Sequence, residues 1–318
     1  MIENVALFEK HRRRLFGLAY RMLGSVSAAE DAVQDTYLRW HRARPEDLRN
    51  AEAWLVTACT RLCIDRLRAV KAERQAYTGE WLPEPLVAHP TAEADFATEL
   101  ADSLQIAFLV VLETLRPAER AAYLLRQAFD YEYAEIAGIL GKSEAACRQL
   151  ISRAQRRLAE ARPQFDHPQQ DGDITERPAH AKQQQARDLA RRFIQAAASG
   201  EPTAFAGLLM QDATIHSDGG GKVSAARNVI HGADRCLRFF IGITRKQPTG
   251  IQLHECLING QPGFITHLDG QALSAISFAI APNGDADDNG GAIQAIYIIR
   301  NPDKLRHLAP LLGRALQH

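Results

Sequence analysis

The sequence predicts a multidomain protein in which two all-α modules precede an α+β domain. Three observations carry this. Residues 115–158 have the period and the glycine break of a helix-turn-helix. Residues up to about 74 run as amphipathic helices, and beyond about 182 helices give way to short apolar runs separated by Asn-Gly and Asp-Gly turns, the punctuation of an antiparallel sheet.

In the first module Phe8, Leu15, Leu18, Ala19 and Met22 mark one helix, ended by Gly24 and Ser25. Ser27 with Glu30 three residues on is a capping box, so a second helix starts there. It buries Ala32, Val33, Tyr37 and Trp40, and leaves Asp31, Gln34 and Asp35 as an acidic polar strip. Asn50 caps a third helix with Leu55, Ala58, Cys59 and Leu62 inward. Thr57, Thr60, Arg61, Arg68 and Lys71 share its opposite face, where basic groups beside small hydroxyls suit a nucleic-acid backbone.

The string YTGEWLPEPL follows at Tyr77 to Leu86. Prolines 83, 85 and 90 deny it regular helix, so it should be extended, with Trp81 and Leu82 conspicuous. An aromatic anchor beside rigidifying prolines has the composition of a docking peptide, because little ordering entropy remains to be lost. A linker whose Trp covers a neighbouring core has the same composition.

Pro117 and Glu119 open the next module in the manner of a helix start. A short helix from Tyr133 to Leu140 carries Ile136, Ala137, Ile139 and Leu140, and Gly141 supplies the turn. Ser143 caps the second helix. Its inward stripe is Cys147, Leu150, Ile151, Ala154 and Leu158, which leaves Arg148, Gln149, Ser152, Arg153 and Arg156 outward. Arginine and glutamine pair with guanine and adenine edges in a major groove. A plain helical hairpin with a solvated basic face is the alternative.

A Pro-, Gln- and Asp-rich linker leads into the rear domain. There Leu189, Phe193 and Ile194 face inward on a helix, MQDATIHSD reads as a strand, and a helix follows a His-Gly turn. GIQLHECLING, GFITHLD, ALSAISFAIAP and AIQAIYIIR then form an antiparallel meander.

Charge and cysteine usage narrow the function. The formal net charge is +0, but it is patterned: residues 10–74 hold 14 Lys/Arg against 8 Asp/Glu, residues 142–162 hold 6 against 2, and residues 75–141 between them hold 3 against 11. Two basic modules flanking an acidic stretch fit a protein that grips DNA in two places. The five cysteines lack CxxC spacing, so no disulfide frame, metal site or cofactor is predicted; Cys59 and Cys63 read as small core residues. No run is long and apolar enough for a membrane helix and the N-terminus lacks a signal-peptide core, so the expectation is a cytoplasmic protein.

Over about residues 5–160 the sequence resembles the extracytoplasmic-function (ECF) sigma factors of bacterial RNA polymerase. AEDAVQDTYLRW is similar to the region-two helix that docks on the polymerase clamp, AWLVTACTRLCIDRLR to the helices that melt and read the −10 element, and the helix-turn-helix to region four, which reads −35. The resemblance implies two partners, core RNA polymerase and promoter DNA. It assigns polymerase docking to Asp31, Gln34, Asp35 and Trp40. Contact with −10 DNA falls to Thr57, Thr60, Arg61, Arg66, Arg68 and Lys71, and −35 contact to Arg148, Gln149, Ser152, Arg153 and Arg156. Arg61 stands where many relatives carry Asn, a departure that bears on base preference at −10.

Residues 182–318 resemble the SnoaL-like, nuclear-transport-factor-2-like cone fold, whose sheet curls around a pocket. WLPEP (Trp81, Leu82, Pro83, Glu84, Pro85), DGGGK (Asp218, Gly219, Gly220, Gly221, Lys222) and NPDKL (Asn301, Pro302, Asp303, Lys304, Leu305) are similar to the signatures of ECF sigma factors fused to such a domain. In that subfamily the fused domain is implied to regulate the sigma module through an intramolecular contact, and Lys222 is placed to meet a carboxylate such as Glu84. The implied organisation is region two at 1–75, a linker at 76–98, region four at 99–162, a linker at 163–181 and the SnoaL-like domain at 182–318.

Three alternatives stay open. A pocket ligand would make the rear domain a small-molecule sensor. A SnoaL-type isomerase or cyclase fused to a DNA-binding module would use His216, Asp218, His254, His267 or Asp269 as an acid/base pair. A dimeric repressor would need a palindromic operator, against which the single-copy, bipartite arrangement argues.

Overall fold

A computed structural model describes residues 2–43, 50–70, 74, 77–87, 105–161, 179–205, 207–281 and 291–308. The chain forms two compact units. One contains residues 1–76 with 107–165, the other residues 77–106 with 166–318. The segment after the first module therefore belongs structurally with the rear domain.

The first unit begins with α1 (Ile2–Leu23), α2 (Val26–Ala43) and α3 (Ala51–Ala69). Leu15, Leu18, Met22, Leu55 and Cys59 are buried between them, and Trp40 meets the Trp54 ring edge-on at 5.5 Å. Gly24 turns the chain at φ 66°. The cap of α2 is Ser25 and not Ser27: the Ala28 N–H donates to Ser25 Oγ at 3.0 Å, because the helix starts at Val26. Asn50 caps α3 as expected, accepting from the Ala53 N–H at 3.1 Å.

The helix-turn-helix module consists of α4 (Ile106–Leu112), α5 (Pro117–Gln127), α6 (Tyr133–Leu140) and α7 (Glu144–Ala161). Gly141 ends α6 in the left-handed conformation, φ 62°, which lets the chain reverse without a Cβ clash. Ser143 Oγ accepts from the Ala146 N–H, and Cys147, Leu150, Ile151, Ala154 and Leu158 are all buried on α7.

These two modules pack on each other within the unit, through arginines that reach backbone carbonyls. Arg120, 2% exposed, donates to Met22 O at 2.7 Å and to Glu113 at 2.8 Å. Arg74 donates to Leu23 O at 2.7 Å and pairs with the same Glu113. Arg14 reaches Phe129 O, and Arg61 donates Nε–H to Ile139 O at 3.1 Å.

The second unit contains α8 (Ala179–Ser199), a 3₁₀ turn (Pro202–Phe205), β1 (Leu209–Asp218), β2 (Ile230–His231) and α9 (Ala233–Thr244). There follow β3 (Gln252–Ile258), β4 (Gln261–Leu268), β5 (Gln271–Ala281), β6 (Ala292–Ile299) and a short α10 (Pro302–Leu305). The sheet order is β2-β1-β6-β5-β4-β3. The meander is antiparallel as expected, but β1 runs parallel to β6, a pairing the local turns do not encode. Asn259 and Asp269 carry φ of 52° and 50° in the β3–β4 and β4–β5 turns.

Alternation divides the sheet into two faces. Ile215, Ile296, Ile298, Ile276, Phe278 and Phe264 face α8 and α9, where Phe193 stands edge-on to Phe205, Phe240 and Phe278 with centroids 5.1, 4.8 and 5.5 Å away. Aromatic rings fill this helix-covered side. Arg191 of α8 pairs with Glu255 of β3 at 2.6 Å across its edge. The opposite face carries His216, Tyr297 and Ser277 in one row, and residues 77–87 lie against it.

Candidate functional site

The site grows from one buried carboxylate. Asp218 ends β1 with no exposed surface. Four groups donate to it: the Tyr77 hydroxyl at 2.6 Å, the Leu82 N–H at 2.9 Å, the Gly220 N–H at 2.9 Å and Lys304 Nζ at 2.7 Å. An ionised carboxylate, with acceptor sites on both oxygens, satisfies four donors; a neutral acid does not. Burial and the bond to Asp218 push the Tyr77 hydroxyl well above its usual range, so it stays a donor.

Lys304 is the counter-ion. Only 7% exposed, it also donates to Leu82 O at 2.5 Å and lies 4.1 Å from the centroid of the Trp81 ring. One ammonium thus binds the domain carboxylate, the linker backbone and a linker aromatic face. Asn301 accepts from the Asp303 N–H and donates to the Tyr77 hydroxyl at 2.8 Å. A Cβ on Gly220, at φ 62°, would stand 2.3 Å from Asn301 Nδ2, so this position needs glycine both for conformation and for space.

Further along, Leu82, Pro83, Glu84 and Pro85 are buried. His307 Nε2 meets Pro85 O at 2.8 Å. Leu86 exchanges hydrogen bonds with Asn259, its N–H donating to the side-chain Oδ1 at 3.0 Å and its carbonyl accepting from the Asn259 N–H at 2.7 Å, and Val87 bridges Ile258 at the sheet edge. At the other end Glu80 Oε1 contacts His216 Nδ1 at 2.7 Å, and the imidazole stacks on Tyr297 with centroids 4.9 Å apart. Strand pairing and side-chain bonds together hold the segment to the domain.

The structure brings together WLPEP, DGGGK and NPDKL, and it corrects their detail. Leu82, with no exposed surface, is the buried anchor, while Trp81 is half-buried over Lys304. Lys222 does not meet Glu84; it pairs with Asp303, because the glycine turn carries its side chain toward α10. Tyr77, Glu80, Asn259 and His307 belong to the cluster but were not singled out by the motifs. Tyr77 at the head of the quoted string and the Asn-Gly turn at 259–260 were the signals available.

The five acid/base candidates are not gathered. His216 and Asp218 serve the linker contacts just described. His254 lies on β3, four strand spacings or about 19 Å across the sheet from β1. His267 lies on β4 and Asp269 in the turn after it. Burial, with a smaller contribution from neighbouring His254, holds the His267 imidazole below its usual range.

In the first unit Asp31 and Gln34 are exposed and Asp35 is half-buried. Trp40 is 2% exposed and packs on Trp54, so in this arrangement its ring belongs to the core and not to an exposed surface. Thr60 has no exposed surface either, so its hydroxyl is not open to DNA in this arrangement. Thr57 donates to Ala53 O, Arg66 to Ala28 O and to Asp35 at 2.7 Å, and Arg68 pairs with Asp65. Lys71 lies outside the described residues.

On α7 the outward set Arg148, Gln149, Ser152, Arg153 and Arg156 is exposed. Arg148 pairs with Glu144 and lies over the Tyr133 ring, and Arg156 pairs with Glu160. Arg153 and Arg157 both reach Glu119, which is 1% exposed and caps α5 through the Arg116 N–H. Glu119 therefore aligns the basic helix on its scaffold.

Comparison with known proteins agrees with this organisation. Residues 7–73 match the family Sigma-70 region 2, and residues 105–158 match Sigma-70, region 4. The chain is 36% identical over 325 residues, 99% of its own length and 96% of the relative's, to the ECF RNA polymerase sigma factor SigJ of Mycobacterium tuberculosis. It is 28% identical, over 97% of both chains, to the probable ECF RNA polymerase sigma factor SigI of that species. The crystal structure of the SigJ protein superposes with a TM-score of 0.68 at 33% identity, covering 94% of this chain and 97% of that one.

Proposed function

We propose that this chain, which belongs to the ECF RNA polymerase sigma factors and so directs core polymerase to specific promoters, has its promoter grip governed by its own C-terminal domain through residues 77–87. The observation that carries the reading is the buried Asp218–Lys304 node, which binds linker backbone and side chains from both sides of Leu82. The linker connects the two DNA-reading modules, so a domain that holds it sets how far those modules can part.

The assigned roles follow the exposed groups. Asp31, Gln34 and Asp35 dock region two on polymerase. Arg61, Arg66 and Arg68, with Thr57 and Lys71, engage −10 DNA. Arg148, Gln149, Ser152, Arg153 and Arg156 engage −35 DNA. In the packed arrangement Arg61 is occupied by the Ile139 carbonyl beside the turn of the helix-turn-helix. A −10 and a −35 element lie tens of ångströms apart along DNA, so both modules engage a promoter only after these contacts open. The protein works with polymerase in the cytoplasm.

Run-off transcription by core polymerase with full-length protein tests this, comparing wild type with Trp81→Ala and Lys304→Met. Promoter-dependent product is expected from the wild type and an altered yield from both variants. Product identical in all three, with the amides of residues 78–87 exchanging freely in the variants, would sink the regulatory reading.

A further inference from the structure

Beside the clamp, a cavity of about 210 Å³ opens between linker residues Thr78–Gly79 and the turn that runs from Ser217 to Arg227. That volume accommodates a group several times the size of a water molecule. Its chemistry points one way. Ser217 lines it while only 3% exposed, and its hydroxyl has no hydrogen-bond partner among the described residues. Thr78 and Ser224 add hydroxyls at the wall.

The charge around the cavity is positive. The exposed Arg227 lines it without an ion-pair partner among the described residues. Arg300 shapes the wall by donating to Ser224 O at 2.5 Å, and no carboxylate meets it among those residues. No carboxylate among the described residues lines the cavity, and of the neighbouring ones Asp218 is committed to its four donors, Asp303 to Lys222 and Arg306, and Glu80 to His216. One guanidinium group beside hydroxyl donors, with no carboxylate among the lining residues, favours an oxyanion over a neutral or cationic guest.

We propose that this cleft binds a small carboxylate- or phosphate-bearing metabolite, and that the bound anion staples the linker to the C-terminal domain. The ligand touches Thr78 and Gly79 on the linker and the Ser217–Arg227 turn on the domain, so it binds only the clamped arrangement and shifts the population toward it. This rests on the clamp reading above and adds the chemical class of its effector.

The test titrates inorganic phosphate and, separately, malonate into the full-length protein at constant ionic strength, reading calorimetric binding and hydrogen exchange at residues 78–82. Saturable binding with slower exchange at those amides is expected from at least one anion; phosphate alone points to a phosphate ester, malonate alone to a carboxylate. Arg227→Gln should weaken binding about tenfold, as loss of a charge-assisted hydrogen bond does, and Ser217→Ala by a smaller factor. No saturable binding of either anion, or binding unchanged in both variants, overturns the proposal. Fast exchange at Leu82 in the anion-free wild type would instead count against the clamp itself, so the two failures are distinguishable.

Discussion

The two units use the same currency of charge and hydrogen bonds in opposite ways. Between the helical modules, Arg14 and Arg61 reach out from largely exposed positions to backbone carbonyls, Arg14 pairing with Glu52 as well. Around the linker, Asp218 and Lys304 are buried together and each binds several groups. An exposed arginine that loses its carbonyl finds water or phosphate at once, whereas a buried carboxylate stripped of its lysine has nowhere to turn. One interface suits release onto DNA, the other suits holding.

The sharpest way to break the contrast is Asp218→Ala, which leaves Lys304 buried without a counter-ion. It should destabilise the second unit by about 3–5 kcal/mol, measured by denaturant unfolding, and speed exchange at Leu82. Leu82→Ala removes the buried anchor and should cost about 2–4 kcal/mol in the same assay, with the linker becoming open to limited proteolysis.

Glu113 is an intermediate case, a largely buried carboxylate of the first unit that binds two arginines. Burial by itself would raise its carboxyl, but Arg120 and Arg74 outweigh that and hold it below the usual carboxylate range. A depressed folded-state value stabilises the packed modules above the ordinary carboxylate titration, near pH 4, and that contribution is lost as pH falls through the lowered value. Acid titration followed by exchange at α1 and α5 should therefore show loosening that sets in as pH falls below about 4, and Glu113→Gln should remove the transition. The smallest expected effect is Arg61→Ala, about 0.5–1.5 kcal/mol on the packing. Because it removes a lock and a proposed DNA contact together, it should change transcription more than stability.

Much of this was legible locally. The helix-turn-helix follows from the spacing of Ile136, Ile139, Cys147, Leu150 and Ile151 and from one glycine, since a helix buries whichever face its apolar period defines. The extended linker follows from its prolines, and the meander from its Asn-Gly and Asp-Gly turns. Helical period places Thr60 beside Arg61 on a polar face, yet Thr60 is buried, because burial there depends on what packs over α3. Helical period places Trp40 inward, where it lies in the structure, and its docking role rests on the family resemblance alone.

What the sequence determined by itself is what depends on neighbours in the chain: helix faces, caps, turns, and the three motif strings that mark the site. Tertiary structure alone decided which charge meets which. Lys304 and not Lys222 reaches the linker, and β1 lies parallel to β6, because those partners are separated by up to hundreds of residues and meet only when the sheet closes. A side chain's period records the direction it faces; the identity of its partner is set by the packing of the whole domain.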